Sequence, residues 1–472
     1  MFLWASCEGV SSRVKRVGES QVVMAITRRN LLCASAAALF SRTVRSADEQ
    51  RGGMITLSPR PTDLEMPVDG FVDEITPVEH FFVRSHTYIP EVRERDWKLV
   101  VDGLVERPLT LSLTDLKRFP RSELVGVLEC AGNGRSFYSP TVAGAQWRFG
   151  SVGNARWSGV CLRDVLQKAG LKSGAAQLLM DGADVPLGTM PDFQRTLPIN
   201  KGLHEDTLLA FEMNGKPLTA QHGFPLRVIA PGWAGDSWTK WLQHIEVLDH
   251  EFDGFWMKTA YRHPKSPVAP GTAVDLKDMV PVTDLNVKSV IARPSDWTMP
   301  GMVAVQGVAW SNAAPVIKVE VSTDAGKSWE PATLSGKATK YGFRRWTWTW
   351  RADQGQHTLI SRATNSAART QPLQQEWNPN GYLWNVAQQR AILVANVRPP
   401  VAAVSQPAEQ TPPDGYKTTC FGCHDEHMMR QQHLTRAQWD REVTKMSGWG
   451  ADVKPESRDA LLDYLSSNFR PE

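Results

Sequence analysis

A chain of 472 residues has room for two or three domains, and 42% apolar with 22% charged residues is a globular composition, neither disordered nor fibrous. The net charge of +3 comes from the start: residues 1–46 carry seven Lys/Arg against two acids, and the rest carries 46 bases against 48 acids. That balanced remainder leaves no basic field for nucleic acid or an anionic membrane. The six cysteines do not form a disulfide framework.

Residues 1–46 read as an export signal. Thr27-Arg28-Arg29-Asn30-Leu31-Leu32 precedes the apolar run Cys33 to Phe40, and Val44-Arg45-Ser46 suits a signal peptidase. The paired arginines match a twin-arginine signal, which exports folded proteins, and Met24 is a candidate start. The run falls short of the roughly 20 residues a membrane helix needs, so no membrane insertion is expected. The expected location is the periplasm.

Residues 47–284 mix helical and strand patterns without regular βαβ repetition, an α+β signature. Thr114 to Phe119 and Leu162 to Leu166 read as short helices. Leu124 to Leu128 reads as a buried strand running into the loop Glu129-Cys130-Ala131-Gly132-Asn133-Gly134-Arg135, and Leu226 to Ala230 reads as another strand. Residues 285–395 change to period two: Ile317, Val319 and Val321 alternate, as do Trp346, Trp348 and Trp350, with Asp324-Ala325-Gly326 as a turn. This predicts an antiparallel, immunoglobulin-like β-sandwich whose tryptophans are core residues. Residues 396–415 hold five prolines and read as an extended linker.

Residues 416–472 read as a small helical module. Thr435-Arg436-Ala437-Gln438 is a capping box, after which Trp439, Val443 and Met446 share one face. A last helix from about Pro455 turns Leu461, Leu462, Leu465 and Phe469 inward. So small a core calls for a covalent cofactor. Cys420-Phe421-Gly422-Cys423-His424 supplies the means, because C-x-x-C-H attaches a c-type haem. Cys420 and Cys423 would form the thioethers and His424 the proximal iron ligand. Met446 is the favoured distal ligand, with His433 its rival. His/Met ligation raises the potential and favours electron acceptance. A zinc site would need two further ligands, for which only His427 and His433 offer themselves.

Cys130 is the second chemical focus. A thiolate is a soft ligand for a heavier transition metal. Ala131, Gly132 and Gly134 remove bulk, so that a large ligand is expected to approach the backbone. Arg135 adds a permanent cation with a planar donor fork.

Five ordered segments now carry a resemblance over residues 70–395. The Cys130 loop resembles the metal-ligand motif of the sulfite oxidase family of molybdenum enzymes. Phe81-Phe82-Val83-Arg84-Ser85-His86 resembles its substrate-binding segment. His222-Gly223-Phe224-Pro225-Leu226-Arg227 and Trp238-Thr239-Lys240-Trp241-Leu242 resemble its pterin-binding segments. Phe255-Trp256-Met257-Lys258-Thr259-Ala260-Tyr261-Arg262 resembles the segment with its active-site tyrosine.

The resemblance implies a fold and a set of roles. Residues 47–284 would form a sulfite-oxidase-type molybdopterin domain, and 285–395 a dimerisation domain that makes a homodimer a candidate assembly. Cys130 would ligate molybdenum beside a pterin dithiolene and oxo groups. Arg84 and Arg135 would bind the substrate oxyanion, Tyr261 would assist proton or electron transfer, and Trp147 would wall the pocket. His86, Asp184, His222, Arg227 and Lys240 would hold the pterin and its phosphate. The implied activity oxidises sulfite to sulfate and passes electrons through haem c to a soluble cytochrome c or similar acceptor. Another sulfur compound, a sulfane sulfur or a sulfoxide, is the alternative substrate. The resemblance departs from the animal pattern, which has an N-terminal b-type haem domain, and from the haem-free plant pattern. Gly134 stands where eukaryotic members typically carry a second arginine. Bacterial sulfite dehydrogenases are the better match, here fused to a cytochrome c module.

Overall fold

A strand covered on both faces loses the alternation of polar and apolar residues, and Val152–Cys161 shows it: Arg156 alone of its ten residues is exposed. This strand pairs antiparallel with Arg121–Glu129 from Arg121 opposite Val160 to Glu129 opposite Val152. The pairing drives Val127 and Leu128 into the core and releases the chain at Cys130. Residues 53–336, 338–400 and 410–471 are described in this computed structural model. The expected export signal and linker residues 401–409 lie outside them.

The sheet containing these strands runs Lys216–Pro217, Leu208–Met213, Val152–Cys161, Arg121–Glu129, and Arg227–Ile229 also pairs with Leu208–Met213. A second sheet runs Leu109–Leu111, Leu99–Gly103, Leu242–Leu248, Gln177–Gly182, Arg195–Pro198. Its parallel pair joins Leu99–Gly103 to Leu242–Leu248. The helix Leu162–Ala169 buries Leu162, Val165, Leu166 and Ala169 in the core the two sheets share. Helices between mainly antiparallel strands make this an α+β domain. A smaller sheet of Ile55–Pro59, Thr62–Glu65 and Val83–Arg84 lies at its start and ends on the substrate-segment arginine.

Residues 288–394 form two facing sheets. One runs Lys288–Arg293, Gly301–Trp310, Arg344–Ala352, Thr333–Ser335; the other runs Trp297–Thr298, Gln388–Val394, Gly355–Asn365, Val316–Ser322, Glu330–Pro331. Ile291, Val305, Val319, Trp346, Leu359 and Ile392 meet between them. Trp346 and Trp350 point inward and Trp348 is half-buried, so these tryptophans are core residues. One part of the expected alternation fails. The register shifts between Val316 and Lys318, and Val316 takes the interior place while Ile317 is 58% exposed. A one-residue irregularity reverses the face of every residue on one side of it.

The C-terminal helical region comprises Tyr416–Cys420, Glu426–Arg430, Arg436–Gly448 and Arg458–Asn468. Thr435 and Gln438 form the predicted capping box, and a turn at Pro455–Ser457 starts the last helix. Trp439, Val443, Leu461, Leu462, Leu465 and Phe469 pack in its core. The described residues fall in one compact unit, so this region shares its surroundings with the α+β domain. Among the described residues no helix is long and apolar enough to cross a membrane.

Candidate active site

Cys130 leaves its strand with its backbone N–H on the Ser151 carbonyl at 2.9 Å, and its carbonyl accepts from Asn133 at 2.9 Å. Behind this turn Glu129 accepts from Asn133 at 2.9 Å, from Lys288 Nζ at 2.5 Å and from Trp310 Nε1 at 2.7 Å. All four side chains are buried, so a network reaching from the β-sandwich fixes the loop. Burial pushes the Cys130 thiol pKa upward and Arg135 pulls it down. A bound cation favours the thiolate.

Cys130 opens onto an inner cavity of about 80 Å³ that also meets Arg84, His86, Asp184, His222, Arg227 and Lys240. Burial lowers the pKa of His222 to about 3 and that of Lys240 to about 7, with neighbouring Arg227 adding to both shifts. Burial likewise pushes Arg227 down. Lys240 donates to the Arg84 carbonyl at 2.9 Å and lies 4.1 Å from the Trp241 ring centroid. Arg227 donates to the carbonyls of His222 and Trp238, but its Nε and the Thr239 hydroxyl are buried without partners. Cations and orphaned donors crowded in one recess call for an anionic, hydrogen-bonding ligand. A pterin phosphate fits that donor set. Two acids also line the cavity: Asp184, which accepts from Thr87 at 3.4 Å, and Asp236.

Arg84, His86 and Tyr261 border this cavity and a larger one of about 290 Å³. Arg84 Nη1 donates to both Asp63 carboxylate oxygens at 3.1 Å and to the Ser85 carbonyl at 2.6 Å. Although burial opposes it, the Asp63 charge raises the Arg84 pKa. Tyr261 Oη and His86 Nε2 are 2.7 Å apart, and the Tyr261 ring stacks on Tyr382 at 5.2 Å. Burial raises the phenol pKa well above its ordinary value. Tyr261 (φ 52°), Trp241 (φ 51°) and Leu383 (φ 60°) are left-handed, a costly arrangement for such side chains that gathers at this site.

Arg135 borders the larger cavity, 7% exposed, with Nη1 on the Ala145 carbonyl at 2.9 Å and Nε on the Asn380 carbonyl at 3.3 Å. Its guanidinium lies 5.0 Å from the Tyr382 ring centroid. The loop glycines have a different role from the expected one. A Cβ at Gly132 would lie 2.7 Å from Arg135 Nη2, and one at Gly134 would lie 2.5 Å from the Trp384 ring. The bulk is removed for these two side chains, not for a ligand. Trp147 is a second correction. It is fully buried, packs edge-on to Phe82 and borders neither cavity, so it supports the wall from behind.

The far side of the larger cavity belongs to the C-terminal region. Cys420, Cys423, His424 and Met446 all border it, together with Met428, Trp439, Val443, Leu461 and Leu465. Both cysteines are free thiols. Burial raises the Cys420 thiol to about 12 and lowers the His424 pKa. His424 Nδ1 lies 3.2 Å from the Asp425 carbonyl, which leaves Nε2 for an axial bond. An apolar recess with two thiols, an oriented imidazole and a thioether fits a covalent haem. His433 turns away to the Arg470 carbonyl, and His427 lies 3.4 Å from Asp425, so neither borders the recess.

Sequence reasoning missed the long-range contributors. Tyr382 and Asn380 come from the segment before the last strand of the sandwich. Arg195 forms a buried pair with Asp236 at 2.5 Å and lies 5.1 Å from the Tyr261 ring. Phe193 stacks on His86 at 4.1 Å. A charged residue inside a β pattern, Arg195, was the one readable signal among these.

Comparison with known proteins agrees with this geometry. Residues 86–256 match the family described as "Oxidoreductase molybdopterin binding domain", and residues 279–394 match "Mo-co oxidoreductase dimerisation domain". Fold and site therefore define a molybdopterin-binding oxidoreductase. The chain is 35% identical over 351 residues to sulfite oxidase of Gallus gallus, covering 70% of this chain and 76% of that protein. It is 31% identical over 362 residues to sulfite oxidase of Arabidopsis thaliana, covering 71% and 92%. The match to mitochondrial sulfite oxidase of Homo sapiens, at 35% identity, spans 63% of that protein's length. Among solved structures, the sulfane dehydrogenase SoxCD from Paracoccus pantotrophus is similar with a TM-score of 0.63 and 28% identity, covering 72% of this chain and 88% of that one. The chain belongs to the sulfite oxidase family.

Proposed function

We propose that this enzyme is a periplasmic sulfite dehydrogenase, exported by its twin-arginine segment, that oxidises sulfite to sulfate and delivers the electrons through a covalent haem c to an external cytochrome c. The observation that carries this reading is the meeting of the two cavities at Arg84, His86 and Tyr261, with Cys130 at the closed end and the Cys420/Cys423/His424 set on the far wall. Bound at Cys130, the molybdenum–pterin group would supply the two-electron oxygen-atom exchange that no side chain can perform. The pterin would be held by His222, Arg227, Lys240 and Asp184.

The side chains supply the rest. Arg84 and Arg135 present guanidinium forks held beforehand by backbone carbonyls and, for Arg84, by the Asp63 carboxylate, so an oxyanion meets donors that need not reorganise. Tyr261 Oη, bonded to His86, holds a proton beside that anion. Tyr382 and Trp256 help exclude water. His424 and Met446 are the proposed axial ligands of the haem, and residues 285–395 are proposed to pair two chains.

Steady-state assay of purified protein tests the reading. Sulfite-dependent reduction of cytochrome c, with molybdenum and iron both present by elemental analysis, is expected. Fully loaded protein that leaves cytochrome c oxidised rejects it. A second reading, oxidation of a sulfane sulfur, is favoured by the likeness to SoxCD. A substrate panel followed at the haem band separates the two, since the small cationic pocket predicts response to sulfite first.

A further inference from the structure

We infer that Gln431 and Gln432 of the C-terminal module are positioning residues for the substrate arginine Arg135, acting through the strap 144–146. The inference rests on the proposed role of Arg135 as an oxyanion ligand. The strap has two working faces. On one, Arg135 Nη1 donates to the Ala145 carbonyl at 2.9 Å, and a Cβ at Gly144 would lie 2.9 Å from the same nitrogen, so the guanidinium lies flat on the strap. On the other, Gly144 exchanges a reciprocal pair of hydrogen bonds with the Gln432 amide: its N–H donates at 3.0 Å and its carbonyl accepts at 2.9 Å. The next-but-one N–H, of Gln146, donates to Gln431 Oε1 at 2.7 Å.

The module is also anchored away from the strap, at one point through the Gln431 amide itself. Gln431 Nε2 donates to the Leu57 carbonyl at 3.0 Å, and Asp425 N–H donates to the Arg60 carbonyl at 3.1 Å. The Arg60 guanidinium in turn donates to the carbonyls of Phe421 and His424. At the other end, the Thr189 hydroxyl donates to the Gly448 carbonyl at 2.9 Å, and the Trp449 ring lies 6.0 Å from Trp256. The strap is therefore held between a fixed module and the arginine.

Gln432 is 6% exposed and borders the same cavity as Arg135, Gly144 and Ala145. Gly144 adopts φ 119°, a conformation that other residues rarely take, and the strap is braced from within by Gln146 Nε2 on the Val142 and Gly144 carbonyls at 2.8 Å, so the two module glutamines add its outside support beside Arg135. Without the glutamine contacts, the strap keeps its internal bonds but loses its tie to the module, and the carbonyl that orients the guanidinium is held less firmly. A misplaced fork weakens oxyanion binding while leaving the metal site and the electron path in place. The module that receives electrons thus also sets substrate affinity.

Two readouts test this: the dissociation constant of sulfate for oxidised holoenzyme by calorimetry, and the split between KM and kcat for sulfite with ferricyanide as acceptor. Gln431→Ala/Gln432→Ala is expected to weaken sulfate binding and raise KM about tenfold, with kcat changed less than about twofold. Gln432→Asn keeps the amide but shortens its reach, and should show the same effect in a protein with normal haem content and melting. Thr189→Ala loosens the module elsewhere and should leave both affinities unchanged. Wild-type affinity in the glutamine variants, or an equal loss in Thr189→Ala, overturns the coupling alone. Wild-type enzyme that binds no sulfate overturns both the coupling and the assignment of Arg135.

Discussion

The two cavities share three side chains yet are built on opposite principles. The inner one, at Cys130, is small and lined by buried cations held on backbone carbonyls. Its recognition chemistry stands ready before a ligand arrives: Arg84, Arg227 and Lys240 meet Asp184 and an Asp236 already paired with Arg195. The outer one is larger and mostly apolar, and more than half of its wall belongs to a module of about 60 residues whose own core is slight. On the proposed reading an anionic pterin completes the first region by electrostatics, and a covalent haem fills the second. Variants of the two regions should therefore fail differently.

The largest effect is expected at the inner site. Cys130→Ser exchanges a soft ligand for a hard one and should reduce sulfite turnover by about a thousandfold or more, with the haem spectrum intact. Steady-state assay beside a visible spectrum checks both halves of that statement. Cys423→Ala should do the reverse. Covalent haem is lost on a denaturing haem stain, electron delivery to cytochrome c collapses, and ferricyanide reduction by the molybdenum site keeps at least about half its rate.

A smaller loss is expected where the cavities meet. Arg84→Lys keeps the charge opposite Asp63 but removes the fork, and kcat/KM for sulfite should fall about a hundredfold. An effect confined to kcat would show that the fork acts after binding. The smallest effect concerns pH. In cofactor-free protein the Lys240 ammonium is pushed down to about 7, chiefly by burial, so it is neutral above that pH and must regain a proton to meet a phosphate. Affinity for inorganic phosphate should therefore drop roughly fivefold to tenfold, relative to Lys240→Arg, between about pH 6.5 and 8. Parallel titrations of the two proteins measure it.

What the sequence disclosed follows the same division. Cys130, Arg84, His86, His222, Lys240 and Tyr261 stand in contiguous segments whose residue types announce their chemistry, and the fold gathers them around one cavity. The capped helix was equally plain, because helix capping is a local rule, and the C-x-x-C-H pentapeptide on which the proposed haem rests is as local. Tyr382, Asn380, Lys288, Gln431 and Gln432 carried no such mark, since each acts through a partner more than 100 residues away. Trp147 misled because a large aromatic beside a reactive loop serves the core as readily as the pocket. Ile317 misled because a bulge cannot be read from alternation.

The account turns on electrons passing from the Cys130 site to the haem within a single chain. Anaerobic rapid mixing of oxidised holoenzyme with a fixed saturating excess of sulfite, repeated over a tenfold range of protein concentration, measures this directly. The account predicts that the reduced haem band appears with a rate constant independent of enzyme concentration. A haem that stays oxidised, or one that reduces in proportion to enzyme concentration, would contradict it.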